Sequence, residues 1–271
     1  MSAESVLFLA ALVGAGLFAG FVGGLFGVGG GVVVVPALFA VFSLLGVNEA
    51  VRMHVSVGTS LATIISTSWR SLSAHSKAGA VDFDILRAWA PWIAGGAVLG
   101  SVMAGFANTT ALLLIFGLGL LLVAMQLGLS SPNWHAFKAM PTGAARVVLA
   151  SGIGGLSALM GIGGGAFGAT LMTLCGRPIH QAVATASGFG AAIALPAALG
   201  YILMGWGRDG LPPWSLGFVN MPGFVLLALL TAVTAPIGAR LAHRLPQKQL
   251  KQAFAVFLAL VAANMLREAF N

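Results

Sequence analysis

Long apolar segments constrain the fold of this 271-residue chain more than any other feature. Hydrophobic residues make up 59% of it and charged residues 7%, against roughly 25% charged in soluble domains. Several segments approach the length of about 20 apolar residues that a membrane-spanning helix requires, and they lack the alternation typical of strands. The sequence therefore predicts an all-α integral membrane protein. It excludes an ordinary cytosolic enzyme, a disordered protein and a disulfide-stabilised secreted domain.

The apolar segments predict ten helical pieces. Two of them are short, and each of these follows a glycine cluster. We interpret the first segment as a membrane helix and not as a cleaved signal peptide, because it carries Glu4, no Lys or Arg, and no strong cleavage site. The predicted segments lie at about 5–27, 31–46, 53–72, 84–106, 110–129, 144–161, 164–175, 179–204, 217–242 and 249–269.

The positive charges predict the orientation. The net charge of +7 does not indicate a nucleic-acid partner, because the 13 Lys and Arg are spread over short loops. Cytoplasmic loops are enriched in such residues. If loop 70–87 is cytoplasmic, only Arg52, Arg208 and Arg267 lie on the opposite side. Both termini are then expected outside the cell (inner) membrane. The residues expected inside are Arg70, Lys77, Arg87, Lys138, Arg146, Arg177, Arg240, Arg244, Lys248 and Lys251.

The chain also contains an internal repeat. LFGVGGG at 25–31 matches LMGIGGG at 159–165, and His54-Val-Ser-Val-Gly-Thr59 matches His180-Gln-Ala-Val-Ala-Thr185. Glycine is abundant, with 38 residues, so one match alone would be weak. Two matches in the same order favour a true repeat.

Each half then holds five helical segments, an odd number, so the halves are expected to have inverted topology. The predicted units are a first transmembrane repeat at 1–130, a connecting cytoplasmic loop at 131–143, and a second repeat at 144–271. Inverted repeats are typical of secondary transporters.

Four stretches together resemble the TauE/SafE family of membrane transporters. They are GGLFGVGGGVVVVPAL at 23–38, HVSVGTSL at 54–61, AHSKAGAVDFD at 74–84, and GIGGG with RPIHQAVATAS within 161–187. The resemblance covers nearly the whole chain. It implies transport of sulfur-containing anions such as sulfite, sulfoacetate or other organosulfonates, often as export. The halves differ at two matched positions, with Thr170 opposite Pro36 and Ala186 opposite Ser60.

The glycine clusters predict an anion site. If each turn lies within the membrane, the short or re-entrant helix after it directs its N-terminal N–H groups and positive dipole end into the bundle, which suits an anion without any Lys or Arg. The alternative is that the glycines only permit close helix packing, for which Gly27/Gly31 and Gly161/Gly165 have the usual spacing. The candidate binding glycines are Gly29, Gly30, Gly31, Gly163, Gly164 and Gly165.

A polar stripe marks the helix predicted at 53–72. We expect it to line the substrate path, although hydroxyls in a membrane helix also bond back to their own carbonyls. In the second half the stripe reduces to Thr185 and Ser187, so the candidate hydroxyl ligands are Thr59, Ser60, Thr185 and Ser187. The whole stripe consists of Ser56, Thr59, Ser60, Thr63, Ser66, Thr67 and Arg70.

Two histidines and two arginines are further candidates. His54 and His180 begin matching helices and could couple proton movement to transport, or simply anchor helix ends by hydrogen bonds. Arg52 and Arg177 could gate the path or attract anions to its mouths. Asp82 and Asp84 are expected to be solvated loop residues.

These features favour a secondary transporter working by alternating access, with a passive anion channel as the alternative. An enzyme is not expected, because no Asp or Glu lies in the interior of a predicted helix and no nucleophile constellation is present. With one cysteine and no cofactor motif, neither a metal site nor a cofactor is expected. The expected partners are a small anionic substrate and membrane lipid, and the oligomeric state is left open.

Overall fold

The computed structural model describes residues 3–26, 30–129, 139–242 and 247–270. Within these ranges the chain forms ten helices and one two-stranded hairpin. The elements are α1 Ala3–Phe26, α2 Gly31–Leu44, α3 Glu49–Lys77, α4 Phe83–Phe106, α5 Thr109–Leu129, α6 Gly143–Met160, α7 Gly165–Leu174, α8 Ile179–Met204, β1 Ser215–Leu216, β2 Val219–Asn220, α9 Met221–Ala242 and α10 Gln247–Ala269.

The predicted all-α membrane fold is confirmed. Each of the ten predicted segments corresponds to one helix, and among the described residues six helices, α4, α5, α6, α8, α9 and α10, are long and apolar enough to cross a membrane. Large apolar side chains such as Leu99, Leu122 and Leu229 are more than half exposed on the outer helices, which suits a lipid environment. The longest helix, α3, is more polar and lies among the others with most of its first half buried.

The two short helices begin where the glycine clusters break the chain. Gly30 precedes α2 with φ of 77°, and Gly161 ends α6 with φ of 67°, a left-handed conformation that favours glycine. Gly164 then precedes α7. The prediction of two short helices is therefore confirmed, while their depth in the membrane stays a prediction.

The helices pair in a way that an inverted repeat would produce. The helix α1 packs against α9, and its counterpart α6 packs against α4, the counterpart of α9. The matched helices α3 and α8 lie side by side and antiparallel, since Gly58 near the start of α3 is next to Tyr201, and Ser68 further along it is next to Gly190. These pairings support the inverted arrangement, which stays a prediction. The boundaries of its units stay predictions too, because 130–138 lies outside the described residues.

The hairpin was not predicted from the sequence. Ser215 pairs with Asn220 and Leu216 with Val219, and Gly217 at the turn has φ of 55°. Phe218 is buried, with its ring against His54 and Tyr201. The hairpin thereby fixes the start of α9 against α3 and α8.

Candidate functional site

The two glycine motifs meet inside the bundle. A Cβ atom added to Gly31 would lie 2.5 Å from the carbonyl oxygen of Gly161, so the two backbones touch there. The hydroxyl of Ser60 on α3 donates to the same oxygen at 2.8 Å. Gly29 lies outside the described residues.

A single α3 side chain contacts both motifs. The Cδ1 atom of Ile64 lies 3.0 Å from the Cβ position of Gly31, and its Cγ2 atom lies 3.0 Å from that of Gly163. On the other side of the second motif, Gly164 packs against Ile193 and Phe189 of α8. The starts of α2 and α7 are therefore both held against the central pair of helices, α3 and α8.

Neither short helix has a side-chain cap at its N-terminus. Gly30 and Gly164 occupy the N-cap positions and have no side chain that could accept from the first N–H groups. Such ends present backbone donors and the positive end of the helix dipole without any acidic residue in the first turn. This arrangement is chemically suited to an anion. The close packing expected from the alternative interpretation is present as well, at Gly31 and Gly161.

Most hydroxyls of the polar stripe bond back to their own helix. Ser56 donates to the Arg52 carbonyl, and Thr63 donates to the Thr59 carbonyl. Ser66 and Thr67 bond in the same way, as does Ser187 in α8, which donates to Ala184 at 2.6 Å. These hydroxyls are therefore already hydrogen-bonded to carbonyls of their own helix. To bind a ligand, each would have to break that bond and rotate its hydroxyl group away from the backbone.

Thr59 and Thr185 behave differently, because each accepts a backbone N–H from the other half. Thr59 accepts from Asn220 at 2.9 Å, and Thr185 accepts from Asp82 at 2.9 Å. Both threonines are fully buried. The two matched residues of the repeat thus make matched contacts across the interface between the halves.

Asp82 and Asn220 occupy equivalent places at the starts of α4 and α9. The Asp82 Oδ1 atom accepts from the Ile85 N–H at 3.0 Å, and the Asn220 Oδ1 atom accepts from the Gly223 N–H at 2.9 Å. Each is therefore a helix N-cap. Solvation was expected for both aspartates and is confirmed for Asp84, but it is wrong for Asp82, whose side chain is only 15% exposed. An Asp just before a predicted helix is the signal that could have identified Asp82, whereas Asn220 lies inside the segment predicted at 217–242 and had no such signal.

The matched histidines differ in their surroundings. His54 is buried, and its Nε2 atom lies 3.0 Å from the Ala104 carbonyl and 3.1 Å from the Ala107 carbonyl at the end of α4. Since only an N–H pairs with a carbonyl, Nε2 carries the hydrogen and His54 anchors α4. His180 is exposed at the start of α8.

The two candidate arginines also differ. Arg52 donates to the Val47 carbonyl at 2.9 Å, and its guanidinium carbon lies 5.6 Å from the Phe39 ring centre. Arg177, between α7 and α8, is 42% exposed and lies 3.9 Å from the Asp82 Oδ2 atom. Arg52 is thus committed to local structure, whereas Arg177 is accessible at the opposite end of the bundle.

Long apolar helices around a polar central helix, with two short helices entered through glycine turns, define a multi-pass membrane protein with the architecture of a transporter. Residues 12–265 match the family model described as sulfite exporter TauE/SafE. The chain belongs to this family. The resemblance found in the glycine and histidine motifs is therefore confirmed.

The relatives are similar over nearly their whole length. A probable membrane transporter protein of Haemophilus influenzae is 32% identical over 96% of this chain and 97% of its own. One of Methanocaldococcus jannaschii is 25% identical over 97% of each chain. One of Bacillus subtilis is 29% identical over 64% of this chain and 71% of its own. No solved structure matches the chain significantly.

Proposed function

We propose that this protein is a secondary transporter of small sulfur-containing anions, such as sulfite, sulfoacetate or other organosulfonates, and exports them by alternating access. The observation that carries the proposal is the meeting of the two glycine motifs. Gly31 touches Gly161, and Ile64 touches both motifs, so two helix N-termini without side-chain caps begin in the same part of the bundle.

The chemistry of the ligand fits this site. A sulfur oxyanion has several acceptor oxygens on one centre, and helix N-termini supply N–H donors with a favourable dipole. Thr59 and Thr185 each accept one N–H, and both are fully buried towards opposite ends of the α3–α8 pair, so we assign their hydroxyls to different points of the substrate path. The proposed binding residues are Gly29, Gly30, Gly31, Thr59, Ser60, Gly163, Gly164, Gly165, Thr185 and Ser187.

Proton coupling is part of the proposal. His180 is exposed, three residues after Arg177, and is the group we assign to proton exchange, because the two ring nitrogens of an imidazole can accept and donate a proton. His54 already bonds through Nε2 to two carbonyls at the end of α4, so we assign it a structural role and not a role in proton exchange. A proton-coupled transporter should drive net anion uptake under a pH gradient even when the anion concentration is equal on both sides of the membrane.

Uptake into vesicles tests the function directly. The full-length protein is reconstituted and offered sulfite, sulfoacetate, taurine, thiosulfate and sulfate, with and without a pH gradient. We expect saturable uptake of sulfite or an organosulfonate, and faster uptake of labelled anion when unlabelled anion fills the vesicle. Uptake without saturation or counterflow would instead favour the passive anion channel. No uptake of any of these anions would contradict the proposal.

A further inference from the structure

The matched caps at the starts of α4 and α9 differ in one chemical respect. Both cap a helix through Oδ1, and both donate their backbone N–H to a threonine of the other half. The α9 cap is the amide Asn220, however, and the α4 cap is the carboxylate Asp82. Because an amide performs the same capping and cross-half contact, the negative charge of Asp82 is not needed for them.

The second polar atom of each cap indicates what the charge is for. The Asn220 Nδ2 atom donates to the Pro213 carbonyl at 3.1 Å and to the Ser215 hydroxyl at 3.3 Å, so the hairpin holds it in place. The Asp82 Oδ2 atom instead faces Gln181 at 3.5 Å and Arg177 at 3.9 Å. Charged hydrogen bonds in a formed pair are about 2.7–2.9 Å long, so this pair is loose.

Arg177 is well placed to exchange partners. It lies just beyond the C-terminal end of α7, about 15 Å along this helix from the N-terminus proposed to bind the anion, and it is partly exposed, so it is placed to meet an anion before that site. A guanidinium pairs with a carboxylate and with a sulfur oxyanion through the same planar set of donors. The Asp82–Arg177 contact also joins the first half of the chain to the second.

We infer that Asp82 and Arg177 form a gate at this end of the bundle, in which Arg177 leaves the Asp82 carboxylate and binds the incoming sulfur oxyanion. The inference rests on the proposed function. In the closed state, Asp82 holds α4 to the α7–α8 connection. When the anion takes over Arg177, the ion pair between the start of α4 and the α7–α8 connection is lost. The hydrogen bonds of Asp82 to Gln181 and Thr185 of α8 remain, so the contact between the two halves at this end is weakened and they can separate more easily.

A double-mutant cycle on sulfite affinity tests the exchange. In the full-length protein in lipid nanodiscs, Asp82→Asn keeps the cap, as Asn220 does, and removes the competing charge. Sulfite should bind about two- to fivefold more tightly, the range for a weak exposed ion pair. Arg177→Gln should weaken binding at least about tenfold, because a hydrogen bond to a charged group is lost. The double variant should bind like Arg177→Gln alone.

Glu49→Gln is the matched control. Its carboxylate lies 4.0 Å from Arg52, but that guanidinium is already held by the Val47 carbonyl, so sulfite affinity should not change. Asp82→Ser, which keeps a capping hydroxyl, should repeat the effect of Asp82→Asn.

Several results would overturn the gate. The first is unchanged or weaker sulfite binding in both Asp82 variants. The second is an equal effect of Asp82→Asn on sulfite affinity in the parent protein and in the Arg177→Gln variant. The third is a gain of sulfite affinity in Glu49→Gln. A parent protein that transports none of the tested anions would contradict the proposed function itself. A parent that binds sulfite and is insensitive to Asp82 would contradict only the gate.

Discussion

At the scale of single residues, neighbouring glycines of one motif are required for different reasons. At Gly31 the limit is space, because the Gly161 carbonyl already occupies the place of a side chain. At Gly30 there is room, since the nearest atom to an added Cβ is 3.8 Å away, but φ is 77°. A left-handed conformation costs other residues about 1–2 kcal/mol. Gly30 is thus the position where a methyl group can be added without a clash.

Gly30→Ala should weaken sulfite binding, because the strained N-cap displaces the first N–H donors of α2. Losing one hydrogen bond to a charged ligand costs about 1.5–3 kcal/mol, or roughly ten- to a hundredfold in affinity. Gly46→Ala is the matched control, with φ of 67° and open space, but it lies after α2 and away from the motif. Calorimetric titration and melting temperature should be measured for both. Similar stability with equal sulfite affinity would contradict an anion site at Gly30.

The repeat predicts the equivalence of Thr59 and Thr185 but not their partners. Both partners, Asn220 and Asp82, come from the opposite half of the chain. A sequence pattern places residues on a helix face without stating which helix lies opposite. For the same reason Asp82, two residues from the end of the polar stretch 74–84, was expected in solvent, although Gln181 at the start of α8 and Arg177 just before it cover most of its side chain.

At the scale of elements, α4 and α6 approach closely because small residues face each other. An added Cβ at Gly96 would strike the backbone of Ser151, and one at Gly100 would lie 2.5 Å from the Gly155 carbonyl oxygen. Close approach of this kind stabilises helix pairs in membranes by packing, where no hydrophobic driving force between helices exists. By contrast, Gly95 has nothing within 4 Å of its Cβ position.

Adjacent substitutions on α4 should therefore have opposite effects. Gly96→Ala forces the backbone of α6 away and should lower the free energy of unfolding by about 1–3 kcal/mol. Gly95→Ala should be neutral or stabilise the protein by up to about 1 kcal/mol, through helix propensity alone. Unfolding of the full-length variants in detergent, followed by circular dichroism, measures both. Equal melting temperatures for the two variants would show that the α4–α6 contact is not tight.

Most of the helices could be predicted because each is an apolar run ended by glycine or polar residues, whereas the more polar α3 begins four residues before and ends five residues after its predicted bounds. Even the short helices at Gly31–Leu44 and Gly165–Leu174 lie within two residues of the predicted ends. The hairpin at Ser215–Asn220 could not, because its strands have two residues each and carry no alternating pattern. Tertiary contacts of Phe218 with His54 and Tyr201 hold it in place.

At the scale of the whole molecule, the two ends of the bundle carry different chemistry. One end holds Asp82, Arg177 and the exposed His180, and the other holds His54 and the hairpin. In the predicted inverted repeat the two ends are built from equivalent elements, so we expect such differences to distinguish the side where substrate enters from the side where it leaves. The charge distribution in the loops predicts that the Asp82 end faces the cytoplasm.

Cysteine labelling tests this orientation and the inverted repeat together. Ser76, near the end of α3, and Asp209, between α8 and the hairpin, are both exposed and lie at opposite ends of the bundle. In a Cys175→Ser background, which removes the single native thiol, a cysteine at Ser76 should react with an impermeant maleimide only from the cytoplasmic side, and one at Asp209 only from outside. The reason is that loop 70–87 carries Arg70, Lys77 and Arg87, whereas the loop at Asp209 carries Arg208 alone among basic residues.

Intact cells expose the outer side of the membrane to the reagent, and inside-out vesicles expose the cytoplasmic side. The reverse pattern would keep the fold and invert the orientation, placing the Asp82–Arg177 gate outside, whereas labelling of both positions from one side would contradict the inverted repeat.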